Sequence, residues 1–282
     1  MEVVDTAAMP WGENLAAQRS GGMAHKRLFE GEEGSPDNYM LVLADESSEY
    51  FSPRHRHAWD QVRYCLTGAV PIGKALAVEA GEVAYFPEGA HYGPQEGGPD
   101  RIELLLQFGG ASGRGYIGAD RLKQAREEMA AFGKFERGVF TRTDGQGRKN
   151  QDAYEAIWEH VTGEPLVYPE PAYKTPVIAR PGSVPWEPAG VAGVTRKQVA
   201  VFPHRGLTVE LVRCGAGSEY GFEAGSALRL GFVTRGDGTL DGVPIVKESA
   251  IRLQPGEAPK LRADAETEVL VISVAPVSWR QR

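Results

Sequence analysis

The segment Pro53-Arg54-His55-Arg56-His57-Ala58-Trp59-Asp60-Gln61-Val62-Arg63-Tyr64 decides how this chain reads. Along an extended strand, residues two apart point to one face. His55 and His57 therefore aim their rings at a common point, and Gln61 and Arg63 share their parity. A third histidine, His91, arrives in Pro87-Glu88-Gly89-Ala90-His91, a turn behind Gly81. Three convergent neutral imidazoles suit Fe, Zn, Cu or Ni. The chain has six histidines, and three lie in this pattern. His25, His160 and His204 have no partner spacing and read as structural.

Length and composition bound the rest. A chain of 282 residues exceeds the usual single domain, so two domains are expected. Thirty-five glycines and nineteen prolines fit short strands joined by tight turns. A net charge of −7 argues against nucleic-acid binding, which needs a basic surface. There is no signal-peptide layout and no apolar run of the ~18 residues that a membrane span requires. Two cysteines, Cys65 and Cys214, are too few for a disulfide framework. The expectation is a soluble, cytoplasmic protein, with Cys65 a small core residue.

Four segments follow from a pass along the chain. Residues 1–35 read as a polar leader that packs against a barrel or against a partner subunit in a homodimer. Residues 36–115 carry the metal-binding strands, with β signals at Tyr39–Leu43, Gln61–Leu66, Val83–Phe86 and Ile102–Phe108. Residues 116–190 form a connector. Leu122, Ala125, Met129 and Phe132 recur at helical spacing with Gly133 as the expected C-cap, and Tyr154, Ile157, Trp158 and Val161 form a second helical face closed by Gly163. Its proline-rich part, 164–190, reads as an extended linker, with Trp158 and Trp186 as packing residues. In residues 191–282 the β pattern returns. A constant offset of 168 aligns Thr67-Gly68 with Arg235-Gly236 and Pro87 with Pro255. At that register His55, His57, Gln61 and His91 become Glu223, Gly225, Arg229 and Pro259. The second half thus keeps the strand-and-turn frame and loses every candidate ligand. Leu211, Leu230, Phe232, Leu253 and Val271 are its expected core.

The motif residues carry a resemblance to the cupin superfamily. Its first motif, G-x5-H-x-H-x3,4-E-x6-G, is matched by His55, His57 and Gly68, with Gln61 where the family has a metal-binding glutamate. Its second, G-x5-P-x-G-x2-H-x3-N, is matched by Gly81, Pro87 and Gly89. His91 comes one residue early, and Gln95 follows it at the spacing of the motif's asparagine. The resemblance implies an all-β chain of two double-stranded β-helix (jelly-roll) barrels with a helical insertion between them: a bicupin with one metal site and one vacant barrel. The first motif also resembles gentisate-type ring-cleaving dioxygenases, which carry His-Arg-His followed by Arg-aromatic, here His55-Arg56-His57 and Arg63-Tyr64. Those enzymes hold Fe(II) on three histidines without a carboxylate.

The implied site is one divalent transition metal per chain on His55, His57 and His91. Fe(II) is favoured over Mn, Ni or Zn. Gln61 either binds weakly through its carbonyl oxygen or hydrogen-bonds a bound water. Neutral ligands leave the metal its charge, which favours a small anionic substrate beside O2. Arg63 points into the same barrel and needs an anion. That anion is either a substrate carboxylate or Glu103 on a neighbouring strand. Tyr85, Tyr92 and Gln95 flank the third histidine as orienting residues, none of them a candidate catalytic acid. Three functions remain open: an oxygenase on a small organic acid; a metal-dependent isomerase, lyase or hydrolase on a sugar-like or polar acid; and a non-catalytic small-molecule-binding protein.

Overall fold

The computed structural model describes residues 1–275 apart from Ser20, Pro36 and Ser48. They divide into two compact units. One is Trp11–Ile178, and the other is Met1–Pro10 together with the residues from Ala179 onward.

Both units are built on five antiparallel strands in the same order. In the first unit the order is Val83–Phe86, Trp59–Thr67, Ile102–Gly109, Tyr39–Glu46 and Met23–Glu30. In the second it is Ser249–Leu253, Leu228–Arg235, Thr267–Val274, Leu207–Cys214 and Val194–Phe202. The offset of 168 carries Tyr39 onto Leu207. The outermost pairing is bulged in both units, between Arg27 and Phe29 and between Gln198 and Ala200. Short hairpins supply the facing layer. In the first unit Val70, Ile72 and Val78 pack against Cys65, Ala84, Phe86 and Tyr92. In the second, Leu240, Ile245 and Leu261 pack against Val212, Val233 and Val269. Leu211, Leu230, Phe232, Leu253 and Val271 are all buried.

The segments outside the barrels differ from their sequence reading. The leader is split. Glu2–Asp5 adds to the edge of the second unit's sheet beside Ser249–Leu253, whereas Met23–Glu30 is an edge strand of the first. The first helix, Ala119–Met129, buries Leu122, Ala125 and Met129 as its spacing requires. It ends at Ala130 rather than Gly133, because Gly133 opens a strand that lies against Phe140, where a Cβ would overlap the ring. Gly133–Glu136, Val139–Arg142 and Asn150–Asp152 form an unexpected three-stranded sheet between the helices. The second helix, Ala153–Thr162, starts on Asp152, whose carboxylate accepts the N–H groups of Tyr154 and Glu155. It ends at Gly163 in the left-handed region, as expected.

The insertion is a packed layer and not a tether. Leu122, Met129, Tyr154 and Ile157 share one core with Met40, Val42, Trp59 and Leu105 of the barrel strands. These strand residues lie on the face that carries His57 and Arg63. The start of the proline-rich segment packs as well, with Leu166 in this core. Trp158 packs against the same core, while Trp186, in the other unit, lies beneath Lys197 and Arg213. Among the described residues, no helix is long and apolar enough to cross a membrane.

The motif glycines Gly81 and Gly89 both have positive φ, +83° and +79°. A Cβ on Gly89 would overlap the carbonyl oxygen of Pro169, whereas one on Gly81 would meet nothing within 4 Å. Alanine at either site carries the left-handed penalty of about 1–2 kcal/mol, but only at Gly89 must the covering segment also move. Gly89→Ala should therefore lower Tm clearly more than Gly81→Ala, by about 2–4 °C for each extra kcal/mol. Equal shifts in a paired melting experiment would show that the Pro169 contact carries no stability.

Candidate metal centre

The strand Trp59–Thr67 delivers Gln61 and Arg63 into the first barrel, and the extended segment before it delivers His55 and His57. His55 is bridged by its backbone to Tyr92: each N–H donates to the other residue's carbonyl, at 3.0 and 2.9 Å. This pairing fixes which residue of the second motif faces inward. The residue is Tyr92. His55 Nε2 and His57 Nε2 are 3.1 Å apart, and the Tyr92 hydroxyl lies 3.0 Å from the first and 2.6 Å from the second.

His91 therefore does not join the other histidines. It is half-buried, is absent from the walls of the cavity that His55 and His57 face, and feels the charges of Arg54 and Arg56. The reason is strand alternation: one step along an extended chain reverses the side on which a residue points. Counting the second motif from Gly81 through Pro87 and Gly89 lands on position 92. The spacing held the answer, and the residue type at 91 masked it. Tyr85 is buried edge-on against Tyr173. Gln95 is fully buried beside Ser52, and neither polar atom of its side chain has a partner.

Arg63 is held by the protein itself. Its Nη1 donates to Glu103 at 3.2 Å, its Nη2 donates to Gln61 Oε1 and to the Tyr92 hydroxyl, both at 3.0 Å, and its Nε points at Gln61 Oε1 at 3.3 Å. Its planar head lies 4.7 Å from the Phe86 ring centre. Of the two readings of Arg63, the structure realises the pair with Glu103. Gln61 in turn spends its oxygen on Arg63, so it faces the centre without offering a free lone pair. Behind Arg63, Arg101 donates to buried Glu46.

Burial sets the protonation states. It drives His55 and His57 well below the usual imidazole range, helped for His55 by Arg19 and for His57 by His55. Both rings are neutral near pH 7. His55 Nδ1 lies 2.7 Å from the Pro53 carbonyl, which can only accept. That nitrogen therefore carries the proton, and Nε2 turns a lone pair inward. Burial also pushes the Tyr92 phenol up to about 12, against the pull of Arg63.

The donor set fits a divalent cation. Two neutral imidazole nitrogens and a phenol oxygen converge with separations close to those between neighbouring ligands about 2.0–2.2 Å from a metal. Among the described residues, no group of three or more His, Cys, Asp or Glu side chains is placed to hold a metal. The third polar atom that converges with the two imidazole nitrogens is the Tyr92 oxygen.

The surrounding cavity has about 80 Å³ open to water centres, room for roughly half a dozen waters. The insertion closes it with Tyr116, Ile117, Leu122 and Tyr154, and the leader with Leu15, Gln18 and Arg19. Neither group was expected at the site from sequence, because their arrival depends on tertiary packing. His25 also lines it and accepts the Leu15 N–H, with burial holding its pKa at about 4. The second unit has its own cavity, lined by Arg196, Glu210, Tyr220, Glu223 and Arg229 and without an imidazole.

No family model and no curated protein matches the sequence. Solved structures do. An unconfirmed dioxygenase from Nostoc punctiforme superposes with a TM-score of 0.64 at 12% identity, covering 98% of this chain and 83% of that one. Streptomyces albus HEPD, with 2-hydroxyethylphosphonate and Fe(II) bound, gives 0.56 at 13%, covering 98% and 76%. A variant of salicylate 1,2-dioxygenase from Pseudoaminobacter salicylatoxidans gives 0.54 at 15%, covering 90% and 76%. The fold is the two-barrel cupin fold. In the first barrel, the positions that the first motif assigns to ligands hold His55, His57 and Gln61, and the second motif supplies Tyr92.

The carboxylates behind Arg63 give the protein a pH signature. Burial, with the charge of Glu103, pushes Glu46 up to about 7. Between pH 4.5 and 7 the folded protein keeps this proton while the unfolded chain releases it, so Glu46 makes stability fall as pH rises. His55 and His57, depressed in the fold, act with the opposite sign. The Glu46→Gln variant isolates the first effect: its Tm minus that of the wild type should grow from pH 4.5 to about 7 and then level off. A difference that stays constant across this range would refute the assignment.

Proposed function

We propose that this chain is a metal-dependent cupin enzyme acting on a small anionic organic substrate, and that its metal is Fe(II) in an oxygenase reaction. The observation that carries the reading is the convergence of His55 Nε2, His57 Nε2 and the Tyr92 oxygen on the wall of one cavity. Two structural neighbours support the finer part, one a variant of salicylate 1,2-dioxygenase and one holding Fe(II).

His55 and His57 would bind as neutral imidazoles, and Tyr92 as phenolate, releasing its proton when the metal enters. The metal would supply a Lewis acid and a site for O2. The chain's own residues do the rest. The Pro53 carbonyl fixes the His55 tautomer. Arg63 donates to the Tyr92 oxygen, steadies its negative charge and sets its direction. Gln61 holds Arg63 in place. The apolar wall of Met40, Trp59, Leu105, Ile117 and Leu122 excludes bulk water. A dication with one phenolate leaves a net positive centre, and an anionic substrate balances it.

Elemental analysis after anaerobic purification should find about one divalent metal per chain, and the His55→Ala/His57→Ala double variant should lose it. Tyr92→Phe should weaken the metal at least ten- to a hundred-fold, whereas Tyr92→His should retain it. An oxidised iron-loaded sample should show a visible phenolate-to-iron absorption that disappears in Tyr92→Phe. Full metal retention in the double variant, or an unchanged spectrum in Tyr92→Phe, would overturn the donor assignment. O2 uptake with a panel of small carboxylic acids and catechol-like compounds tests the oxygenase part. Turnover without O2 would refute it.

A further inference from the structure

The leader brings a second guanidinium to the cavity. Arg19 is 4% exposed and lines the same walls as His55 and His57. Its Nη1 pairs with Asp152, while its Nη2 is buried without any partner. Asp152 cannot follow Arg19 about, because its other oxygen caps the second helix through the Tyr154 and Glu155 N–H groups. One side of the guanidinium is thus fixed to a rigid element, and the other has no partner. Arg63 offers no such opening, since Glu103, Gln61 and Tyr92 occupy it.

Three more buried polar atoms of cavity-lining residues lack partners: Trp59 Nε1, a donor, Gln18 Oε1, an acceptor, and His57 Nδ1. A buried donor of a charged group left unanswered is costly. A planar oxyanion answers Arg19 and Trp59, and a hydroxyl beside it answers Gln18. Leu15, Met23, Met40, Leu105, Ile117 and Leu122 give the wall an apolar part, as a short hydrocarbon or aromatic body needs.

We propose that Arg19 is the anchor for the substrate's carboxylate, and that the substrate is a small hydroxycarboxylic acid. This rests on reading the cavity as the substrate site, but not on the identity of the metal.

The test is isothermal titration of the whole protein with lactate, benzoate and salicylate, each against its neutral amide. It is run metal-free and again with Mn²⁺. The wild type should prefer acid over amide, and salicylate over benzoate. Arg19→Met should reduce the acid preference by about ten- to a hundred-fold. Arg19→Lys keeps a cation beside Asp152 but lacks the second planar donor. It should lose part of that preference and guards against a folding defect in the methionine variant. Gln18→Leu should abolish only the advantage of salicylate over benzoate. Acid preference that is absent in the wild type, or undiminished in both Arg19 variants, overturns the proposal. Mn²⁺ binding that fails while the Arg19-dependent preference persists strikes the metal assignment alone.

Discussion

A guanidinium inside a barrel must have its donors answered, and at Arg63 that requirement organises the centre. The side chain carries five N–H groups and no acceptor. Glu103 from the neighbouring strand, Gln61 from the same strand and Tyr92 from the second motif meet four of them. Each partner is thereby oriented. Gln61 turns its oxygen to the arginine. Tyr92 turns its oxygen to a point that the two imidazoles also face. Glu103 is buried, which the pairing makes tolerable. Removing the arginine would leave that carboxylate unpaired in a low-dielectric interior, a much larger loss than a surface ion pair.

The local parts of this arrangement were legible in the sequence. The parity of His55, His57, Gln61 and Arg63 follows from strand geometry, and the turn glycines and the offset of 168 follow from backbone chemistry that each unit needs separately. The second motif shows the limit. Its spacing marks position 92, but a histidine at 91 is the more metal-like residue, and only the His55–Tyr92 bridge shows which of the two faces inward. The helical periodicities around Leu122 and Ile157 identified real helices, yet nothing local says that they close a cavity. Arg19 had no signal at all. It lies in a polar stretch, and its meaning depends on Asp152, which is distant in the sequence.

Comparing the two units separates what the fold needs from what the chemistry needs. Strand order, the edge bulge and a positive-φ glycine at Gly68 and Gly236 are common to both. The imidazoles are not. Where the first unit has Gln61, the second has Arg229, and its two terminal nitrogens donate to the carbonyls of Glu223 and Glu257. Backbone answers those two nitrogens, while the buried Nε of Arg229 has no partner. The barrel is therefore stable with or without a donor cluster, and function has to be argued from the side chains in each unit.

Two sets stand out among the unanswered polar atoms of the first unit. On one side Glu46 Oε1, Glu103 Oε2 and Arg101 Nε lack partners. Carboxylate acceptors and a guanidinium donor together suit ordered water, which needs two to four polar neighbours. Such a set is closed by solvent alone. On the other side, Arg19 Nη2, Trp59 Nε1 and Gln18 Oε1 belong to residues around a space much larger than one water. Water could fill that space, but most of its wall is apolar and offers water no bonds. A molecule with an anionic head and an apolar body would satisfy the head-group donors and the wall at once. The same asymmetry explains why the imidazoles stay neutral. Arg19, Arg63 and burial all oppose a positive charge on them, which leaves their lone pairs free for the centre they face.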